Sequence, residues 1–247
     1  MPTRRQVKVH KPPTDIVGDV RDASWPTSML IPIASESSPL DLSSVRRAAT
    51  VADLTAIFET SANVVLHPRR LASGVQAEAE RAASQRNFRL IASIAMSPSG
   101  AFEPPLALVE LPALAADVLH WVEAFAELTG ANLVGVRMAR LEAPMCPRFH
   151  TDRVTLRLVA TYLGPGTEVL AEQDVDRSWL GHAAKGRADE LSGLMRPGAQ
   201  IVRAAAGDVV LLKGDSWPGN AGRGAIHRSP AQSANEARLV LTLDALR

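Results

Sequence analysis

The chain holds a single cysteine, Cys146, among 247 residues. That excludes an intrachain disulfide framework and any CxxC or four-cysteine zinc site, and it fits a reducing compartment. Aromatic residues are also scarce, at 4%, with one tyrosine, Tyr162, so the core must be built mainly from Leu, Val, Ile and Ala. No apolar run approaches the roughly 18 residues of a membrane span. The opening MPTRRQVKVHKPPTD lacks the apolar stretch of a secretory signal. The expectation is a cytoplasmic protein with no membrane partner. A net charge of +1 gives no overall electrostatic reason to expect nucleic acid. Basic pairs such as Arg46-Arg47 and Arg69-Arg70 lack interleaved aromatics and read as solvated surface. HExxH, P-loop and GxSxG patterns are absent, and the glycines of GNAGRG lack the strand-then-helix setting of a dinucleotide site.

What is present is enough apolar sequence, 46%, for a proper core in one compact unit with an extension or in two small ones. Residues 1–40, with HKPPTD and SWPTSMLIPIASESSPLD, show no sustained period and read as an extended or partly disordered arm. Residues 41–85 read as a mostly helical part broken at HPRR. Phe88 to Ser97 reads as a strand, and the residues from 86 to 247 form the domain proper. Within it, PALAADVLHWVEAFAELTG is the clearest helix: Pro112 stands in its first turn and Gly130 just past its end. Leu114, Val118, Trp121, Val122 and Phe125 recur on one face, whereas His120 reads as a surface or boundary residue. After Gly130 strand patterns dominate: NLVGVRMARLE, VTLRLVATYLG, TEVLA, IVRAAAGDVVLLKG, GAIHRSP and RLVLTLD. Many strands with few helices between them indicate an α+β chain with a mainly antiparallel sheet pair or barrel. Residues 172–197 break that rhythm and read as a helical insertion or lid.

The chemistry centres on CPRFHTDRVTLRLVATY. Alternate strand residues share a face about 6.6 Å apart, so His150 and Asp152 can hold one ion between them. By itself the pair reads sooner as a structural hydrogen-bonded couple. His227, in the short apolar stretch GAIHRSP, is the candidate third donor. Two imidazoles and a carboxylate leave half an octahedron open, the arrangement non-haem Fe(II) uses to bind a cosubstrate and O₂. Arg238 follows His227 by eleven residues and shares a strand face with Val240 and Thr242. A guanidinium held inside a barrel suits one end of a small dicarboxylate.

The order His150-x-Asp152, then GDVVLLKG, His227 and Arg238 resembles the pattern of Fe(II)/2-oxoglutarate-dependent dioxygenases on the double-stranded β-helix, or jelly-roll, fold. CPRFHTDRVTLRLVATYLGPGTEVL, GDVVLLKG and AIHRSP look like a bacterial family labelled domain of unknown function 1826, over roughly residues 85 to 247. The resemblance implies a jelly-roll core with N-terminal helices packed on it, catalytic iron at His150, Asp152 and His227, and 2-oxoglutarate held by Arg238. It also implies a second contact to that carboxylate from Tyr162, and a second substrate it does not identify. Val240 stands where many dioxygenases carry Ser or Thr, with Thr242 the next hydroxyl on that face. The alternative is a non-enzymatic zinc protein of metal homeostasis, with a closed site at Cys146, His150, Asp152 and His227. Four extended residues span about 13 Å, so that site needs a bend, for which Pro144 and Pro147 are placed.

Overall fold

Val, Leu and Ile at alternate positions after Gly130 demand a sheet with at least one buried face, and a computed structural model supplies it. It describes residues 44–96, 104–233 and 236–246; the arm expected over 1–40 lies outside them. The described residues hold ten strands: β1 (Val45–Arg47), β2 (Val64–His67), β3 (Arg89–Ala95), β4 (Leu133–Leu141), β5 (Leu156–Leu163), β6 (Glu168–Leu170), β7 (Ile201–Arg203), β8 (Val209–Lys213), β9 (Ile226–Arg228) and β10 (Arg238–Leu246). Seven form one sheet in the order β1-β2-β8-β5-β10-β4-β3, and three form a second in the order β7-β6-β9. Only β1 and β2 pair in parallel. His150 pairs with His227 as an isolated bridge and so extends the small sheet beyond β9. From β4 onward the chain alternates between the sheets: β4 in the large one, His150 in the small one, β5 in the large, β6 and β7 in the small, β8 in the large, β9 in the small and β10 in the large.

The large sheet is covered on one face by α1 (Ser73–Ser84) and α2 (Pro112–Thr129). The main core lies between them, with Leu114, Val118, Trp121 and Phe125 of α2 meeting Leu158, Ala160, Val136, Met138 and Leu241 of the sheet. α2 begins at Pro112, and Gly130 ends it in the left-handed conformation, where its N–H reaches Ala126 O. A free N–H of its first turn, that of Leu114, donates to Glu78 Oε2 of α1 at 2.8 Å, which ties the helices together. The opposite face of the large sheet meets the small sheet through Val64, Leu66, Val159, Val210 and Leu212 against Val169, Ala204 and Ala225. Among the described residues no helix is long and apolar enough to cross a membrane.

One stretch departs from expectation. The stretch read as mostly helical carries β1 and β2 besides a 3-10 helix (Ala52–Phe58) and α1. β2 is buried at all four residues between its neighbours, and so short an apolar run has no period to separate strand from helix. Residues 172–197 form three 3-10 turns and α3 (Asp189–Ser192). Their apolar side chains, Val175 and Leu194, pack with Phe149, Leu170 and Ile226, the residues of the small sheet that face away from the large one. This insertion braces the small sheet from outside.

Candidate metal centre

His150 and His227 come together because their backbones form one antiparallel hydrogen-bonded pair, N to O at 3.0 and 3.1 Å. Both rings then project from the same face of the small sheet, their centroids 4.4 Å apart. Each ring turns Nδ1 to the carbonyl two residues upstream, His150 to Arg148 O at 2.9 Å and His227 to Ala225 O at 3.0 Å. A carbonyl only accepts, so Nδ1 carries a proton in both rings and Nε2 is the nitrogen each ring presents to the site. Asp152 meets them there. Its Oδ2 lies 3.4 Å from His227 Nε2 and its Oδ1 3.7 Å from His150 Nε2.

The three donor atoms lie within 4.8 Å of one another. Metal bonds of about 2.1 Å set ligand-to-ligand edges of roughly 3.0–3.5 Å, so the two imidazoles and the carboxylate stand somewhat wider than a bound divalent transition metal would hold them and need only a small side-chain movement to close on one. His227 is closed in, with 9% of its side chain exposed, while His150 at 31% leaves the site open on one side. Burial alone would raise the Asp152 pKa, but the approach and charge of His227, with Arg157 and His150, hold it down at about 2. Burial, and the neighbouring His227, lower that of His150. Both shifts favour the ligating forms, an ionised carboxylate and a neutral imidazole.

Asp152 sits on the connection that leaves the small sheet for β5, and Asp215 shapes that connection. Asp215 N donates to Asp152 O at 2.9 Å, and Asp215 Oδ2 accepts from Thr151 Oγ1 at 2.8 Å. Its Oδ1 accepts from Gly224 N at 2.8 Å, just ahead of β9, so one carboxylate couples the two ligand-bearing segments. The approach requires a glycine at 214, where a β-carbon would stand 1.9 Å from Val154 O.

Arg238 opens β10 and is 2% exposed. It shares a strand face with Val240, Thr242 and Asp244, the face that looks toward the small sheet. Its Nε donates to Pro165 O at 2.7 Å, and no carboxylate among the described residues pairs with it. Burial alone depresses its pKa to about 10.

Two expected participants lie elsewhere. Tyr162 points to the opposite face of β5, into the core under the helices, where its hydroxyl donates to Asp117 Oδ2 at 2.6 Å. Burial and the Asp117 charge raise its pKa well above the usual phenol value. Tyr162 thus lies on the face of the large sheet turned away from the small sheet. Cys146 is exposed and is not brought to the donor group. Its carbonyl accepts from Ser229 N at 2.9 Å, so the segment runs alongside the end of β9 instead of folding back on the site. The four-ligand zinc site thus loses its thiolate.

The family model for protein of unknown function (DUF1826) matches residues 48–244. The chain belongs to this family. No curated protein matches it. Among solved structures it is similar to the dioxygenase for auxin oxidation from rice, at 16% identity over 82% of each chain with a TM-score of 0.42. It is similar also to dioxygenase for auxin oxidation 1 from Arabidopsis thaliana in its binary complex with 2-oxoglutarate, at 13% identity over 82% of this chain and 91% of that one, TM-score 0.43. A Pseudomonas putida prolyl-4-hydroxylase is 17% identical over 80% and 99% of the two chains, with a TM-score of 0.40.

Three groups around the site of this DUF1826 chain escape a reading of the sequence: Asp215, Arg157 and Asp244. Arg157 and Asp244 each interrupt an apolar alternation, in VTLRLVATY and RLVLTLDAL. That is a visible signal of charge on a sheet face. Their pairing across the strands becomes readable only with the register in which Arg157 stands opposite Asp244.

Proposed function

We propose that this chain is a non-haem Fe(II)- and 2-oxoglutarate-dependent dioxygenase on a double-stranded β-helix core, acting on a second substrate. The observation that carries the reading is the trio His150, Asp152 and His227. Two Nε2 atoms and one carboxylate converge from a closed side and leave the other side open, as a facial set of ligands requires. The alternation of consecutive strands between the two sheets supports the double-stranded β-helix, and the ligands lie where the chain crosses from one sheet to the other. Arg238 supports the cosubstrate. A buried guanidinium without a carboxylate partner is costly and calls for an anion, and the planar fork suits the distal carboxylate of a dicarboxylic 2-oxoacid.

In this reading His150, Asp152 and His227 hold iron, which when bound couples decarboxylation of the 2-oxoacid to oxidation of the second substrate by O₂. The chain's own part is to fix the tautomer of both imidazoles through their Nδ1–H bonds so that each presents Nε2, keep Asp152 ionised, and orient the cosubstrate by its far end. No tyrosine shares that last task, since the only one in the sequence lies in the opposite core.

The test is an anaerobic titration of metal-free protein with Fe(II) and then 2-oxoglutarate, following the weak visible charge-transfer band of a chelated 2-oxoacid. The band is expected for the unmodified chain, lost in His150→Ala, and reached in Arg238→Ala only at much higher 2-oxoglutarate. If the unmodified chain gives no band while retaining Fe(II), the dioxygenase reading is wrong.

A further inference from the structure

Behind the donor trio stands a run of alternating charges on the same inner face of the large sheet. Arg157 of β5 lies directly opposite Asp244 of β10. Its Nε and Nη2 donate to Asp244 Oδ1 and Oδ2 at 2.8 and 3.1 Å, a side-on fork that fixes the plane of the guanidinium. The remaining edge, Nη1, donates to Asp152 Oδ2. Asp244 is held in turn from the far side by Arg137 Nη2. One end of the run is therefore at the surface, where half of the Arg137 side chain is exposed, and the other grips the candidate ligand carboxylate.

We propose that Arg157 is a positioning residue for the metal centre: by gripping Asp152 Oδ2, the oxygen that also lies 3.4 Å from His227 Nε2, it fixes the plane in which the carboxylate faces the two histidines. The inference rests on the metal-site reading above. A carboxylate free to turn about its last bond would spend part of its time turned away from the histidines. With Oδ2 held by a guanidinium whose own plane is set by Asp244, Asp152 keeps the orientation in which its oxygens face the two Nε2 atoms. A lysine at 157 could not do the same, because its point-like ammonium has no second edge to brace against Asp244 while reaching Asp152. Asp244 belongs to the device as the group that aims Arg157.

The probe is Ni(II), which two imidazoles still bind measurably when the carboxylate is removed. Dissociation constants are measured by calorimetry for the metal-free chain, His150→Ala, Arg157→Leu, Asp152→Ala and the double variant Arg157→Leu/Asp152→Ala. Loss of an outer partner of a metal ligand typically costs about 10–100-fold in affinity, and that loss is expected for Arg157→Leu. In the Asp152→Ala background the same substitution is expected to cost less than about twofold, since Arg157 acts through that carboxylate alone. A structural role would cost the same in both backgrounds, and that result overturns the proposal. An unchanged constant for Arg157→Leu, with binding still lost in His150→Ala, overturns it and leaves the metal site standing. Absence of His150-dependent binding in the unmodified chain removes the metal site itself, and the inference with it. Should Arg157→Leu fail to fold, Asp244→Asn with and without Asp152→Ala poses the same question, with an expected loss of about 3–10-fold.

Discussion

At the scale of single residues the site is assembled from side chains whose alternatives have been removed. Each histidine spends its Nδ1 proton on the chain two residues upstream, so neither ring is free to present the wrong nitrogen. Arg238 is the contrary case, a cation buried without a charge among the described residues to answer it. Its pKa, held near 10 by burial alone, marks an energetic cost in the absence of an anion. Arg238→Met is accordingly expected to raise the stability of the metal-free chain by about 1 kcal/mol while it abolishes 2-oxoglutarate binding. Denaturant unfolding and equilibrium dialysis of the same variant read the two effects. A fall in stability with dicarboxylate binding intact would make Arg238 a structural arginine. The donor trio was legible as a spacing, His150-x-Asp152 and then a histidine after GDVVLLKG, although His150 is a single bridge residue and β9 is too short to show a period. Tyr162 was placed by resemblance alone, and in β5 it falls on the face of Leu158 and Ala160, under the helices.

At the scale of elements, the placement of the donors depends on the small sheet, which is braced from outside. Asp189 at the start of α3, with 3% of its side chain exposed, accepts from Phe149 N at 2.8 Å, Arg148 Nε at 2.7 Å and Arg228 Nη1 at 3.1 Å. These donors flank His150 and His227 in the chain. Glu168 of β6 takes Arg228 Nε at 2.8 Å and Arg203 Nε at 2.7 Å, which closes the network across the sheet. Asp189→Asn leaves Arg228 and Arg148 without that charge and deprives the hub of acceptor capacity, so a loss of about 2–4 kcal/mol is expected in chemical denaturation. Ni(II) affinity should weaken in the same variant, because the strand carrying His150 loses its anchor. A variant as stable as the unmodified chain would show that the insertion merely covers the sheet. None of this was legible beforehand, since residues 172–197 lack the period that would place them on a face. α2 was legible to within a residue, because Pro112, Gly130 and the apolar stripe agree with one another.

At the scale of the whole molecule, the large core and the donor site sit on opposite faces of the seven-stranded sheet. The helices and β3, β4 and β10 are held by one contiguous apolar cluster, whereas the small sheet adds three short strands and one bridge. Opening of the small sheet should therefore need less free energy than unfolding of the core. The three donors span that weaker boundary: His150 and His227 belong to the small sheet, and Asp152 lies on the link into β5 of the large one. A metal bound to all three clips the two sheets together. Binding at a hundred times the dissociation constant stabilises the folded form by about 2.7 kcal/mol, which for a chain of this size corresponds to a rise of roughly 5–10 °C in the thermal midpoint. Hydrogen exchange locates that gain. Divalent metal should slow exchange at His150, β6 and β9 by an order of magnitude or more and leave α2 and β4 unchanged, since they already open only with the whole molecule. Chelator should reverse the effect, and His150→Ala should abolish it. Equal protection of α2 and β9 in the metal-free chain would mean that the two sheets already unfold as one unit, with no weaker boundary for the metal to clip.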